Sequence, residues 1–434
     1  MRFVIRNGVL ELYEWTDLDN PEVVIPDGVT SIGDHAFEEC QNLTRIHIPE
    51  GVTSIGKRAF CKCYRLTAVM MPNSVTSIGI SAFDFCSSLT SVTISDKVTS
   101  IGIRAFCECS SLTSVILPDS VKSIGKRAFS GCTSLASITI PDSVKSIEGW
   151  AFNGCRNLRS VKIPGSVTEI GSRAFFDTPW LKEKQEDNPL VIVNGILIDG
   201  KACSGAVSIP DGVTSIGGFA FWKCKSLTSV TIPDSVTHIG DSAFRECNSL
   251  KSVTIPDSVT VIGDSAFSDT PWLKEKQKGT PLVIVNNNLI DGKACFGDII
   301  IPNSVTSIVG RAFESCFGLT SVTIPESVTS IGDYAFLKCI NLTCVTISEG
   351  VTNLGREAFS LCSSLTSVTI PDSITSIGEA AFVHCFELTS IRISNSVPAI
   401  LSKTFLNCKS LTSVTLPDNI DIAEDAFEGC PCLM

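Results

Sequence analysis

The chain has 434 residues, 44% hydrophobic and 18% charged, with 31 Gly and 20 Pro, so it has ample apolar surface for a core and frequent turns and is not a disordered chain. A formal charge of −11 argues against a nucleic-acid partner, because phosphate backbones are held by clustered Lys and Arg. No stretch approaches the roughly 18 consecutive apolar residues of a spanning helix, which predicts no membrane insertion.

In chain order, the first residues, Met1-Arg-Phe-Val-Ile-Arg-Asn-Gly, lack a charged segment followed by a long apolar one, so no secretory leader is expected. On that ground, and with many unpaired thiols, the cytoplasm is the expected compartment. Residues 1–24 contain the hairpin-like run Phe3-Val-Ile-Arg-Asn-Gly-Val-Leu and are expected to cap the apolar end of the repeats beyond them. From Pro26 onward a repeat takes over. Aligning on Ala-Phe gives Ala36, Ala59, Ala82, Ala105, Ala128, Ala151 and Ala174, each 23 residues after the last. Ala220, Ala243 and Ala266 come after a double gap, and after another come Ala312, Ala335, Ala358, Ala381, Thr404 and Ala426. The expected blocks are 25–188, 189–280 and 281–434, all in one continuous solenoid.

A model unit runs from Leu227 to Ser249. Leu227, Val230 and Ile232 follow the L-x-x-L-x-L pattern, in which alternate residues of a short strand face inward while Ser229 and Thr231 face out. Pro233-Asp-Ser makes a turn, and Val236 and Ile239 return to the core from a second extended stretch. Gly240 is expected at positive φ, and where Glu148 and Val309 occupy that slot the turn is expected to slide to Gly149 and Gly310. Ala243, Phe244 and Cys247 are expected on a short helical or 3₁₀ return that fills the coil interior. One coil cannot bury its own apolar face, so stability must come from stacking.

The double gaps carry near-identical segments, Asp177-Thr-Pro-Trp-Leu-Lys-Glu-Lys-Gln and Asp269-Thr-Pro-Trp-Leu-Lys-Glu-Lys-Gln. Each leads into a hairpin-like run, with a strong type I′ turn signal at Asn194-Gly195 and a weaker one at Asn286-Asn287. Leu190 with Val193, and Leu282 with Val285, fall at the core Val and Ile positions of the 23-residue register, so these are expected to be modified coils. Trp180 and Trp272 either plug the enlarged coil or project as partner-binding side chains.

The repeated run is similar to the BspA-like leucine-rich-repeat family, whose members carry segments close to S-V-T-I-P-D-S-V-T-S-I-G-x-x-A-F-x-x-C-x-x-L. The match is direct from Ser252 to Phe267 and from Ser321 to Phe336, and extends from about Val24 to Cys430. The resemblance implies a right-handed leucine-rich-repeat superhelix with parallel β-strands on the concave face and short extended, 3₁₀ or helical returns on the convex side. It also implies a cell-surface or secreted setting and adhesion to, or binding of, a protein partner such as a host surface or matrix protein.

No chemistry-bearing constellation stands out. His35, His47, His238 and His384 lie on different coils without partners at metal-ligand spacing. In the pairs Cys61/Cys63, Cys107/Cys109 and Cys430/Cys432, one Cys of each is the recurring repeat residue, which reads as a packing slot holding reduced thiols. No nucleophile elbow or phosphate loop is present, so neither an enzyme nor a metal or other cofactor is expected. The exposed strand position between the two inward aliphatics is Thr in Thr93, Thr139, Thr231, Thr254, Thr323, Thr346, Thr369 and Thr415. Its departures are the candidate partner-binding residues, Arg45 and His47, Met70, Ile116, Lys162, Ile300 and Arg392, and the concentration of these in the first coils places a protein-binding patch there. Two other readings stay open: a structural protein self-associating end to end through Cys430-Pro-Cys-Leu-Met, and a Thr ladder that orders water or ice.

Overall fold

Alternation of small polar and branched apolar residues gives each repeat two short strands separated by a Pro-led turn, and stacking pairs most strands with their counterparts one repeat on. A computed structural model describes residues 2–14 and 21–431 and divides into two compact units, Met1–Ala202 and Cys203–Met434. Each unit is a parallel-strand β-solenoid with little helix. In the first, Ser91–Thr93 pairs with Ser114–Ile116 and Ser100–Ile101 with Ser123–Ile124. In the second, Leu227–Thr231 pairs with Ser252–Thr254 and His238–Ile239 with Val261–Ile262.

The inward residues form columns along the stack. Val75, Ala82, Phe83, Cys86 and Leu89 of one coil are wholly buried, as are Val98, Ala105, Phe106, Cys109 and Leu112 of the next. The phenyl rings lie nearly parallel, 5.0 Å apart for Phe37 and Phe60 and 5.5 Å for Phe129 and Phe152. That offset stacking adds to the area each ring removes from water. The recurring Cys is equally enclosed, and its Sγ donates to the carbonyl of a Phe on the preceding coil, as in Cys63 to Phe37 and Cys109 to Phe83. Burial pushes the Cys40 thiol up to about 11 and holds Cys63 and Cys86 well above their ordinary range. These are packing groups with little thiolate character.

The return segment differs from a helix in an instructive way. It is a pair of turns, with a left-handed residue just before the Ala and another two places after the Phe: His35 and Glu39, Arg58 and Lys62, Ser242 and Glu246. An uninterrupted helix would consume its N–H groups internally. Here the turns aim alternate N–H groups along the stack, so that His35 donates to Lys57 O, Phe37 to Ala59 O and Glu39 to Cys61 O at 2.7–2.8 Å. The return thus becomes a third hydrogen-bonded ladder.

The repeat glycine is not at positive φ, contrary to the expectation for Gly240. Gly56, Gly79, Gly102 and Gly240 have ordinary φ, and a Cβ on Gly79 would lie 2.5 Å from the Gly56 carbonyl carbon. Close approach of successive backbones demands the residue. Nor does the turn slide at Glu148 or Val309, because the left-handed residues remain Trp150 and Arg311, each directly before its Ala. Glu148 instead folds back to accept the Lys126 N–H at 2.8 Å.

Each double gap begins with a helix: α1, Pro179–Asp187, and α2, Pro271–Gly279. Thr178 and Thr270 cap them by accepting from Leu181 N and Leu273 N, with Pro in the first helical turn. An antiparallel hairpin succeeds each, Val191–Val193 with Ile196–Asp199 and Val283–Val285 with Asn288–Asp291. Asn194 and Gly195 are both left-handed, and so are Asn286 and Asn287, so both turns have the type I′ signature. The core register is not carried by Leu190 and Val193, or by Leu282 and Val285, which are only half-buried. Leu197 and Leu289 are wholly buried instead, and Leu289 pairs with Ile308 of the next coil. The second hairpin strand, rather than the first, joins the stack. The same device opens the chain: Arg2–Arg6 pairs antiparallel with Val9–Glu14, Asn7 and Gly8 are left-handed, and Leu10 pairs with Ile32. Within the expected cap, Glu22–Val24 already pairs with Arg45–His47 as the first coil strand.

The two indoles do not project. Trp180 and Trp272 are buried, with ring centroids 4.7 Å from Phe175 and 4.6 Å from Phe267, so each ends a phenyl column and neither is open to a partner. The C-terminal residues 432–434, part of the segment through which end-to-end association is expected, lie outside the described residues.

Candidate functional site

The remaining sequence candidates are all exposed where the strand alternation puts them, Arg45 at the first strand position, in line with Ala68 and Ser91, and the others at the position that Thr usually fills. Arg45, His47, Met70, Ile116 and Lys162 are exposed on the first unit, with Met70 at 73% and Ile116 at 82%. Pairing places Val24 beside His47, Met70 beside Thr93, Thr93 beside Ile116, and Thr139 beside Lys162. The first-unit surface therefore alternates apolar and polar groups.

Val24 is a member of the row that residue spacing did not single out, although it stands one repeat before His47 and is equally exposed. Its place inside the expected cap hid it, because the strand phase extends further toward the N-terminus than the Ala-Phe alignment does. Arg45 carries an ion pair with Glu22 at 3.3 Å, an exposed contact of small energetic value that keeps the guanidinium at the surface.

Ile300 and Arg392 belong to the second unit and are not brought together. Ile300 pairs with Thr323, and Thr346 and Thr369 continue that row, whereas Arg392 pairs with Thr415 and is held by Asp372 at 3.0 Å. The Thr-rich row is therefore the background against which these residues depart.

A polar hollow of about 670 Å³ lies beside α1, lined by Arg156, Arg159, Phe176, Lys182, Asp199 and Lys201 among others. Its charges already pair across it, Arg156 with Asp177 at 3.1 Å and Arg159 with Glu183 at 3.3 Å. Asp199 at its floor accepts from Gln185 at 2.8 Å, and burial raises its carboxyl above the ordinary value. Among the described residues no group of three or more His, Cys, Asp or Glu could hold a metal ion, and no helix is long and apolar enough to cross a membrane.

With this geometry in place, the family is plain. The model of the BspA-type leucine-rich-repeat region matches residues 11–110, 76–188, 201–319 and 306–434, and the chain belongs to that family. Among solved structures it is similar to a leucine-rich repeat protein from Bacteroides ovatus, with 28% identity over 100% of this chain and 91% of that one at a TM-score of 0.32. A leucine-rich cell surface protein from Faecalibacterium prausnitzii shares 29% identity over 95% and 92% of the two chains, also at 0.32. A leucine-rich repeat protein of T. pallidum shares 31% identity over 43% of this chain and 78% of its own, at 0.26. No curated protein matches the chain. The fold and family are those of a leucine-rich-repeat scaffold, consistent with a protein-interaction role.

Proposed function

We propose that the chain is a non-enzymatic scaffold at the cell surface that adheres to a host surface or matrix protein through the exposed strand row of its first unit. The observation that carries this reading is the exposure of Met70 and Ile116, at 73% and 82%, in a row whose usual occupant is Thr. His47 and Val24 lengthen the row at one end, and Arg45 and Lys162 supply positive charge on a chain of net −11. A row of alternating apolar and polar groups edged by cations suits an acidic, partly apolar partner surface, the apolar groups setting affinity and the charges setting approach. The family's link to adhesion supports the setting.

The test is binding of the intact chain to purified extracellular-matrix proteins by biolayer interferometry. Replacing Met70 and Ile116 by Thr, the residue the repeat normally carries there, is expected to weaken binding at least tenfold without lowering thermal stability. Reversing Arg45, His47 and Lys162 to Glu is expected to slow association. Unchanged binding by both variants would reject the row as the site.

A further inference from the structure

The second unit holds an internal control for its surface, because the coils from Cys295 onward repeat, 92 residues on, the segment from Cys203 that starts the unit. Buried positions agree between the copies: Cys203 with Cys295, Ile209 with Ile301, Cys224 with Cys316. Several exposed positions do not. Ser204, just before one strand, and Ala206 and Ser208 on it become Phe296, Asp298 and Ile300, while Lys225 and Asn248 on the next coils become Phe317 and Ile340. Phe296 is 84% exposed and Ile300 77%, and Phe317 and Ile340 are exposed as well. On the sister side, Phe219 and Trp222 also differ between the copies but sit on the return, half-buried against each other, and Val261, where the other copy has Asn353, is a lone exposed aliphatic on the second strand.

The five residues are exposed on three successive stacked coils. Asp298 and Ile300 point outward from the strand Gly297–Ile300, about 6.6 Å apart, and Phe296 directly precedes that strand, ahead of a left-handed Gly297 at which the pairing register shifts. The Phe296 ring lies over Gly318, where an added Cβ would come within 2.9 Å of it, which places it beside Phe317. The Phe317 carbonyl is in turn bonded by Asn341, next to Ile340. Between the apolar groups the Asp298 carboxylate is fixed by Ser321 and Thr320, whose hydroxyls both donate to Oδ1 at 2.7 Å. Among the described residues no protein donor reaches its Oδ2. Those hydroxyls hold the carboxyl below its ordinary value, so it stays ionised in mildly acidic surroundings.

The four apolar side chains present roughly 400–500 Å² at about 150–200 Å² for each large group fully in view. A stable dimer needs about 800 Å² from each partner, so a second copy of this chain, itself of net charge −11, is a poor match. A short segment suits the area, and the fixed anion calls for a cation. We propose that Phe296, Asp298 and Ile300, flanked by Phe317 and Ile340, form a docking surface for an extended segment of a partner protein in which a lysine or arginine lies between two large apolar side chains. The proposal uses second-unit residues alone and does not depend on the first-unit row.

The experiment uses the full chain and two labelled peptides, Ser-Thr-Phe-Thr-Lys-Thr-Leu-Thr-Ser and the same peptide with Glu in place of Lys, monitored by fluorescence anisotropy. The Lys peptide is expected to bind at least tenfold more tightly than the Glu peptide. Combining Phe296→Ser, Ile300→Ser and Ile340→Asn should weaken the Lys peptide at least tenfold. Asp298→Ala should erase the preference between peptides. All four replacements are the residues the sister segment carries, so the fold accommodates them, and unchanged melting confirms it. Carrying Ser204→Phe, Ala206→Asp, Ser208→Ile, Lys225→Phe and Asn248→Ile into the sister segment, with Ser226→Gly to clear the space that Gly318 leaves for the Phe296 ring, should raise the stoichiometry to two. Equal affinity for both peptides, no measurable binding, or unchanged binding by the triple variant would overturn the proposal. So would a dimer in sedimentation that the triple variant dissolves, since that would assign the face to a second copy.

Discussion

An ordinary coil and a hairpin coil solve the same packing problem with different parts. In the coil around Phe244 the return supplies its own ring, and the Phe244 N–H reaches the Ala266 carbonyl at 2.7 Å. In the coil opened by Val283–Val285 the corresponding bond runs from Gly292 N to Ala312 O, also at 2.7 Å, so a glycine stands where the phenylalanine would be. A Cβ there would meet the Phe313 ring at 2.2 Å. Trp272, delivered by α2 at the start of the same gap, takes over by packing its tilted ring against Phe267, 4.6 Å away. The comparison teaches that the column has to be filled, while the source of the filling ring is negotiable.

The largest effect that tests this equivalence is loss of a ring. Phe244→Ala and Trp272→Ala are each expected to cost about 3–5 kcal/mol in chemical denaturation, since both leave a cavity inside a packed column. A cost for Trp272→Ala of under about 1 kcal/mol would mean that the indole is ornament and the hairpin coil is held otherwise.

The repeat glycines sharpen the contrast between contact and conformation. Gly79→Ala should cost about 3 kcal/mol, at the upper end of overpacking, because the obstructing atoms are Gly56 backbone that cannot rotate aside. Gly28→Ala, at φ +89 with open space around it, should cost about 1 kcal/mol from the left-handed backbone alone. Equal costs in thermal unfolding would reinstate φ as the reason for the repeat glycine.

A third difference concerns charge. Across the shortened hairpin return Gly310 donates to Asp264 at 2.8 Å, and this closure buries a carboxyl that sits near Asp241 and Asp333. Burial, then the Asp241 and Asp333 charges, raise it from 3.8 to about 6. A raised carboxyl favours folding only while protonated: its contribution is full below about pH 4 and is lost as pH climbs through 6. Asp264→Asn keeps an acceptor for Gly310 and is expected to stabilise the protein by about 2–3 kcal/mol at pH 8. In a pH series of urea melts that gain should shrink below pH 6 and vanish near pH 3.

The smallest effect lies in the return turns. Ser315 is left-handed, at φ 59, in the position that Gly131 and Gly154 hold elsewhere. Ser315→Gly should add about 0.5 kcal/mol, relief of the left-handed penalty being partly offset by the freer unfolded chain. A loss of stability would show that the serine makes a contact worth more than its strain.

Much of the fold and the row is legible in the residues themselves. The 23-residue phase, the inward Leu, Val, Ile, Ala, Phe and Cys columns, and the outward position of Met70, Ile116, Lys162 and Ile300 come from local alternation, which a strand obeys wherever it lies. The helices at Pro179 and Pro271 are also within reach, since Thr-Pro is a cap with a first-turn proline, but the hairpin signal beside them is the stronger one. Other features are not legible because they depend on what the neighbouring coil brings. Gly56 is required by Gly33 and Asp34 one repeat away, and Leu289 outranks Leu282 because only the second hairpin strand can reach Ile308. Trp272 is a plug because α2 turns it inward, and Phe296 belongs with Phe317 only once coils are stacked.

By itself, the sequence determined the repeat, its phase and the inventory of buried and exposed positions, because those depend on residue spacing along a short strand. Tertiary structure alone decided why the glycine is needed, which ring fills each interruption and which exposed residues become neighbours, because each of those depends on distances between coils far apart in the chain.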